Sequence, residues 1–261
     1  MKIAVSARPA QALLCQRGEQ LAAELELTWC ADLDAAMMQA DFVLCVTPDG
    51  LHLQQTGKGA PGPVKVDFAG GKQAWRQRHG GGKSQLIARA VGLHKGARPE
   101  ILDATAGLGG DSFVLAGLGC RVTMLEQSGV VSALLADGLQ RLAIATEPEL
   151  QAIAARMSLL PPMLAEQYLA CAPKHEVIYL DPMFPGAAGP AAVKKEMQVL
   201  RSFLQHSSDE AQLLQQALDT ARYRVVVKRH RQSVTIDGPA PSYQLSGKST
   251  RYDIYSLRKY Y

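Results

Sequence analysis

The sequence predicts an α/β protein built on a mostly parallel sheet with helices on both faces, ending in an antiparallel hairpin. Three observations carry that reading. From residue 100 onward short apolar runs alternate with stretches of helical spacing, the pattern of parallel strands joined by crossover helices. The closing segment "YQLSGKSTRYDIYSLRK" (243–259) holds two strand-like runs about a Gly-Lys turn. A smaller strand–helix–strand pattern precedes this region and is separated from it by a glycine-rich basic stretch.

Taken in order, "KIAVSA" reads as a strand, "PAQALLCQRGEQLAAELEL" as a helix and "DFVLCVTPDG" as a strand ending in a turn. "HLQQTGKGAPGPVKVDFAGG" follows as an edge or hairpin segment punctuated by Gly and Pro. Residues 1–68 are therefore expected to form a small α/β extension. Residues 69–99 form a basic, Gly-rich linker whose later half has helical spacing. No acid falls between Phe68 and Pro99, whereas Lys72, Arg76, Arg78, Lys83, Arg89, Lys95 and Arg98 do. Residues 100–261 are the larger unit. Its strands are "EILDATAG", "CRVTMLEQ", "LQAIAARMS", "VIYLDP" and "YRVVVKRH", with the hairpin completing seven. Its helices are "DSFVLAGLG", "GVVSALLADGLQRLAIA", "MLAEQYLA", "AAVKKEMQVLRSFLQ" and "EAQLLQQALDTA".

Composition excludes several classes. The chain has 261 residues, 47% of them hydrophobic and 20% charged, as in ordinary globular proteins. No apolar run approaches the roughly 20 residues of a membrane span, and the N-terminal segment lacks a signal peptide's apolar centre. The five cysteines, Cys15, Cys30, Cys45, Cys120 and Cys171, are widely spaced without a CxxC pair. That argues against a zinc site and against a disulfide framework, and for reduced thiols in the cytoplasm. A net charge of +4 leans towards a polyanionic partner. "GGGKSQ" and "SGKST" resemble phosphate loops, but the required first glycines are Gln77 and Ser242.

Chemistry concentrates at two strand ends. In "LDATAGLGGD", Gly107, Gly109 and Gly110 sit where the first strand of the larger unit turns into its first helix, so the backbone can approach a ligand closely. A tight turn with no ligand is the plain alternative. Glu126 ends the next strand, 19 positions after Gly107, where a carboxylate can accept hydrogen bonds from both hydroxyls of a ribose. Nicotinamide cofactors and S-adenosylmethionine share that feature. Asp103, four residues before Gly107, favours the second, because a carboxylate there suits a cationic amino-acid moiety and repels a pyrophosphate. The dinucleotide fingerprint also lacks its last glycine, which falls at Ser112.

The second strand end is "VIYLDPMFP". Asp181 lies where ligands gather beyond the strands of such a sheet, although Asp-Pro also suits a helix N-cap. A nucleobase amino group is a poor nucleophile, and it needs acceptors for its N–H bonds and a fixed line of approach. The Asp181 side chain can take one N–H and the Pro182 carbonyl the other, while Phe184 offers a face on which a base stacks. This is the [D/N]-P-P-[aromatic] pattern of amino methyltransferases, with Met183 in place of the second proline. No cysteine nucleophile is required. For an RNA substrate, the rim should carry cations: Lys72, Arg76, Arg78 and Lys83 in the acid-free run, Lys194 and Lys195 after the fourth strand, Lys228 and Arg229 on the fifth. A solvated basic face is the bland reading of the same residues.

With "DATAGLGGDSFVLAGLGCRVTMLE", "YLDPMFP", "VKKEM", "RVVVKR" and "RYDIY", together with "VDFAGG" and "GGGK", the chain resembles the bacterial ribosomal RNA small subunit methyltransferase J family over most of residues 64–255. The resemblance implies a class I S-adenosylmethionine-dependent methyltransferase fold, Rossmann-like, with a small N-terminal extension. It implies methylation of guanine N2 in 16S rRNA, with the RNA or the small ribosomal subunit as partner. By position it puts cofactor contacts on Gly110, Asp111, Glu126, Gln127, Met157, Ser158 and Asp181. Gly110 stands where the family usually has arginine, and the segment before Ser158 is shorter than the family's. Adenine-N6 methylation of RNA or DNA, and a non-catalytic role in ribosome assembly, are the competing readings.

Overall fold

The computed structural model describes residues 1–70, 85–93, 96–182 and 209–259. Two sheets organise them. The first has four strands, β1 (Ile3–Ala7), β2 (Thr28–Trp29), β3 (Phe42–Thr47) and β4 (Gly50–Gln55), in the order β2-β1-β3-β4. Here β1 runs parallel to β2 and β3, and β4 folds back antiparallel on β3. The apolar run of β3 is buried from Phe42 to Val46. Helix α1 (Ala12–Glu24) carries the expected helical stretch. Strand β2 and helix α2 (Leu33–Gln39) are additions to the predicted pattern. Asp32 starts α2, its side chain accepting from the amides of Asp34 and Ala35.

The second sheet has seven strands in the order β10-β11-β9-β8-β5-β6-β7. They are β5 (Glu100–Asp103), β6 (Arg121–Met124), β7 (Met157–Leu159), β8 (His175–Leu180), β9 (Ala221–His230), β10 (Tyr243–Ser246) and β11 (Thr250–Ser256). Strands β5 to β9 pair in parallel, and β11 runs antiparallel to both β9 and β10. Chain order reverses at β5, which lies between β6 and β8. A ligand crevice opens at such a switch point. Helices α3 (Leu86–Val91), α4 (Gly110–Gly117), α5 (Gly129–Ala143), α6 (Pro148–Ala154), α7 (Ala165–Cys171) and α8 (Glu210–Thr220) complete the described elements.

One expected element is corrected. "LQAIAARMS" reads as a strand, yet its first half is helical, in α6, and only Met157 and Ser158 belong to a strand. Pro148 at the first helical turn, with Glu149 behind it, is the helix-start signal that outweighs the short apolar run. The predicted helix at 191–205 lies outside the described residues.

One apolar core joins the two sheets. It holds Val5, Leu44 and Leu53 from the first, Ile101 and Tyr179 from the second, and Val66, Phe68, Leu134 and Leu135 between them. Helix α5 receives the incoming chain at Gly138, where a Cβ atom would stand 2.3 Å from Cγ1 of Val66. Asp137 beside it is 4% exposed and accepts from Arg17 and Arg141, each at 2.8 Å. Arg141 also donates to the Val66 carbonyl.

Candidate active site

Strand β5 ends at Asp103 and turns into α4 through residues 104–109, and the glycines of that turn have different duties. Gly107 has φ +54, and a Cβ built on it meets nothing within 4 Å, so the turn faces open space there. Its amide donates to Oε2 of Glu126 at 2.9 Å. Gly109 has φ +73, and its Cβ would meet Cδ1 of Leu135 at 2.7 Å and Cζ of Phe68 at 3.1 Å. Gly109 is thus demanded by packing, whereas Gly107 leaves room for a ligand. Gly110 opens α4 and Asp111 follows in its first turn, where the helix dipole favours a negative charge.

Glu126 is 4% exposed. Its Oε1 accepts from the Ser128 amide at 2.8 Å while Oε2 takes the Gly107 amide. Burial pushes its carboxyl up, against these backbone bonds. The Gln127 backbone adds a third bond; an ionised carboxylate has about four acceptor positions, so one remains for a ribose hydroxyl. Asp103 is 2% exposed. It accepts from the Ser112 hydroxyl at 2.5 Å and from the Thr105 amide at 3.3 Å. Burial raises its carboxyl to about 7, with Asp111 and Asp181 adding to the rise and the two hydrogen bonds opposing it.

Asp181 follows the last residue of β8, and its amide donates to Oγ1 of Thr105 at 2.6 Å. That bond ties the strand end to the glycine turn. The Asp181 side chain is 37% exposed, so its carboxylate reaches solvent at the crevice. The β8–β9 register sets Tyr179 beside Val226 and Leu180 beside Val227. Side chains two apart share a face, so Asp181 and Lys228 project on the same side as Tyr179 and Val226. Lys228 donates to Oδ2 of Asp181 and to Oδ2 of Asp111, each at 2.7 Å. The Tyr179 hydroxyl donates to the same Asp111 oxygen at 2.7 Å. Burial pushes Asp181 up, Lys228 pulls it down, and Asp111 pushes it up again. The Lys228 ammonium is strongly favoured by the two carboxylates, which overcome its partial burial.

Two assignments on the fifth predicted strand need correction. Lys228 is engaged inside the site by two carboxylates rather than spread on an RNA-facing rim. Arg229, one residue on, projects to the opposite face of the sheet. Its side chain is 5% exposed, paired with Glu210 at 3.1 Å and bonded to the Val234 carbonyl at 2.9 Å. It is a core ion pair, closed to phosphates. Gln127 follows Glu126 at the rim, and its backbone helps hold that carboxylate. Met157 is buried beside Val122 at the start of β7, and the exposed Ser158 donates to the Thr123 hydroxyl at 3.3 Å. Pro182 is partly buried at the strand end. Phe184, Lys72, Arg76, Arg78, Lys83, Lys194 and Lys195 lie outside the described residues. Thr105, Ser112 and Tyr179 enter the site without having been singled out in the sequence. The available signal for Lys228 was that "IYLD" and "VVVK" end matching apolar runs on strands expected to be neighbours.

Residues 27–257 match a family described as "Putative SAM-dependent methyltransferase". A ribosomal RNA small subunit methyltransferase J from Marinobacter nauticus is 50% identical, over 91% of this chain and 86% of the relative. One of the same name from Pseudomonas paraeruginosa is 50% identical, over 85% of this chain and 84% of the relative. The crystal structure of a SAM-dependent methyltransferase from Neisseria gonorrhoeae superposes with a TM-score of 0.74 at 34% identity, covering 97% of this chain and 95% of that one.

Proposed function

The chain belongs to the ribosomal RNA small subunit methyltransferase J family, and from that membership we propose that it methylates the exocyclic N2 amine of a guanosine in 16S ribosomal RNA. The cofactor is S-adenosylmethionine, as the family and fold require, and a nicotinamide reading falls away. When bound, that cofactor supplies an electrophilic methyl group on a sulfonium. The residues present fit it: an open turn at Gly107 and a buried Glu126 with one acceptor position to spare. In this reading Gly107, Gly110 and Glu126 cradle the nucleoside end with Gln127, Met157 and Ser158 beside it. Asp103 and Asp111 supply negative charge towards the amino-acid end.

The observation that carries the proposal is Asp181. Its carboxylate stands at the crevice mouth with one oxygen engaged by Lys228 and its backbone tied to the glycine turn. The other oxygen accepts one N–H of the guanine amine, and the Pro182 carbonyl accepts the second. Holding both N–H groups aims the nitrogen lone pair at the methyl carbon. The new N–C bond would form as the methyl–sulfur bond breaks, its electron pair staying with the neutral thioether that leaves, and the proton lost from nitrogen would pass towards the Asp181 carboxylate. Phe184 stacks the base. Lys72, Arg76, Arg78, Lys83, Lys194 and Lys195 contact phosphates and hold the RNA without reading its sequence. Residues 1–68 form the small α/β unit, 69–99 the basic connection and 100–261 the catalytic unit, a division that follows the two sheets.

Labelled-methyl transfer to unmodified small subunits and to free 16S RNA, followed by nucleoside mass analysis, tests the reading. N2-methylguanosine is expected; N6-methyladenosine or an unlabelled product overturns it. Asp181→Ala should stay folded and lose transfer by about a hundredfold or more, the scale of removing one polar group aimed at a transition state. Wild-type turnover in that variant would remove Asp181 from the mechanism.

A further inference from the structure

We infer that Lys228 is a positioning residue for methyl transfer: its ammonium fixes one oxygen of Asp181 and turns the other oxygen to the incoming amine. The inference rests on the proposed role of Asp181 and extends it to a residue on the neighbouring strand.

The geometry supports it in three ways. Lys228 reaches Asp181 and Asp111 through the same short distance, 2.7 Å, so the two carboxylates are held at fixed separation by one amine. Both bonds go to Oδ2 atoms, and among the described residues none donates to Oδ1 of Asp181. Strand pairing makes the arrangement rigid: β9 is bonded to β8 on one side and to β11 on the other, with Lys228 opposite Tyr252. A lysine serving only RNA phosphates would project its amine outward; here the side chain is 27% exposed and turned to Asp111 and Asp181.

The charged and titratable groups around Asp181 come from each packed element. Asp103 stands on β5, Asp111 on α4, Tyr179 on β8, Lys228 on β9 and Tyr252 on β11. Burial and Asp111 oppose ionisation of Asp181, and Lys228 is the cation that favours it. A carboxylate must be deprotonated to accept an N–H well. Removing Lys228 should therefore raise the Asp181 midpoint and move the acidic limb of the transfer profile to higher pH. A nearby opposite charge is worth about one to three pH units.

The test compares wild type with Lys228→Met, Lys228→Gln and Lys228→Arg. Lys228→Gln retains a hydrogen-bond donor without charge and serves if the methionine variant does not fold. Two readouts are taken: the pH profile of single-turnover transfer with saturating cofactor, and the carboxyl-carbon NMR titration of Asp181 in cofactor-free protein. The acidic limb and the titration midpoint should both rise by about one unit or more in the uncharged variants, and Lys228→Arg should restore most of the shift. A folded uncharged variant whose midpoint and limb match wild type overturns the inference. If wild-type protein makes no N2-methylguanosine, the functional reading fails, and the NMR titration by itself still decides whether Lys228 governs Asp181.

Discussion

Asp137 and Asp181 are both carboxylates drawn into the protein, yet their surroundings spend the charge differently. Asp137 is met by two guanidinium groups, Arg17 and Arg141, one on each oxygen. Asp181 shares a single amine with Asp111 and keeps an edge at the crevice. The first acid is consumed by structure, since it pins α1 and α5 together and, through Arg141, the Val66 backbone. The second is only partly engaged. A carboxylate with an oxygen in reserve at the surface can take a hydrogen bond from a substrate; one buried beneath two guanidinium groups is closed to it.

That contrast can be broken by exchanging the consequences. Asp181→Ala should abolish most transfer and leave the denaturant midpoint near wild type. Asp137→Ala should do the reverse, costing about 2–4 kcal/mol because two partly buried cations lose their partner. Its labelled-methyl transfer per folded molecule should match wild type. Equal effects of both variants on both measurements would erase the distinction.

The two turn glycines sharpen it on a smaller scale. Gly109→Ala forces a methyl group against Leu135 and Phe68 at a positive φ and should cost about 1–3 kcal/mol in urea unfolding. Gly107→Ala meets no atom. Its backbone strain should be about 1 kcal/mol, but its methyl group enters the space assigned to the cofactor, so calorimetry should show weakened S-adenosylmethionine binding. A pH-dependent effect concerns Asp103. Its folded carboxyl, at about 7, lies above the unfolded value of about 3.9. The folded state therefore holds more protons between those values. Stability from this group is complete below about pH 4 and is lost as pH rises through about 7. Asp103→Asn should flatten that decline, read as a narrower gap between urea midpoints at pH 5 and pH 7.5.

Local signals were read well from the sequence. The glycine turn, Glu126 at the next strand end and Asp181 before Pro182 are each written in a few adjacent residues, and strand alternation places them on one rim. The terminal hairpin was legible for the same reason. The roles of Lys228 and Arg229 were not, because they depend on which face of β9 each residue takes. Register against β8 decides that, and neighbouring basic letters do not reveal it. The segment 150–158 misled because a short apolar run fits a strand or a helix, and Pro148 was the punctuation that mattered. Strand β2 has two residues and too little pattern to announce itself. Asp111 could be placed by position, but its sharing of Lys228 with Asp181 joins residues 47 and 117 positions from the lysine, beyond any local motif.

Gly138 has a consequence for how this protein can be taken apart. The long helix gives up its own surface there so that the valine of the arriving segment can nest in the notch. The appended sheet is thus seated against the larger unit like a keystone. A shortened chain beginning near residue 70 would bare a greasy furrow along that helix and would be prone to clump. Any attempt to graft the larger unit elsewhere has to refill the notch first.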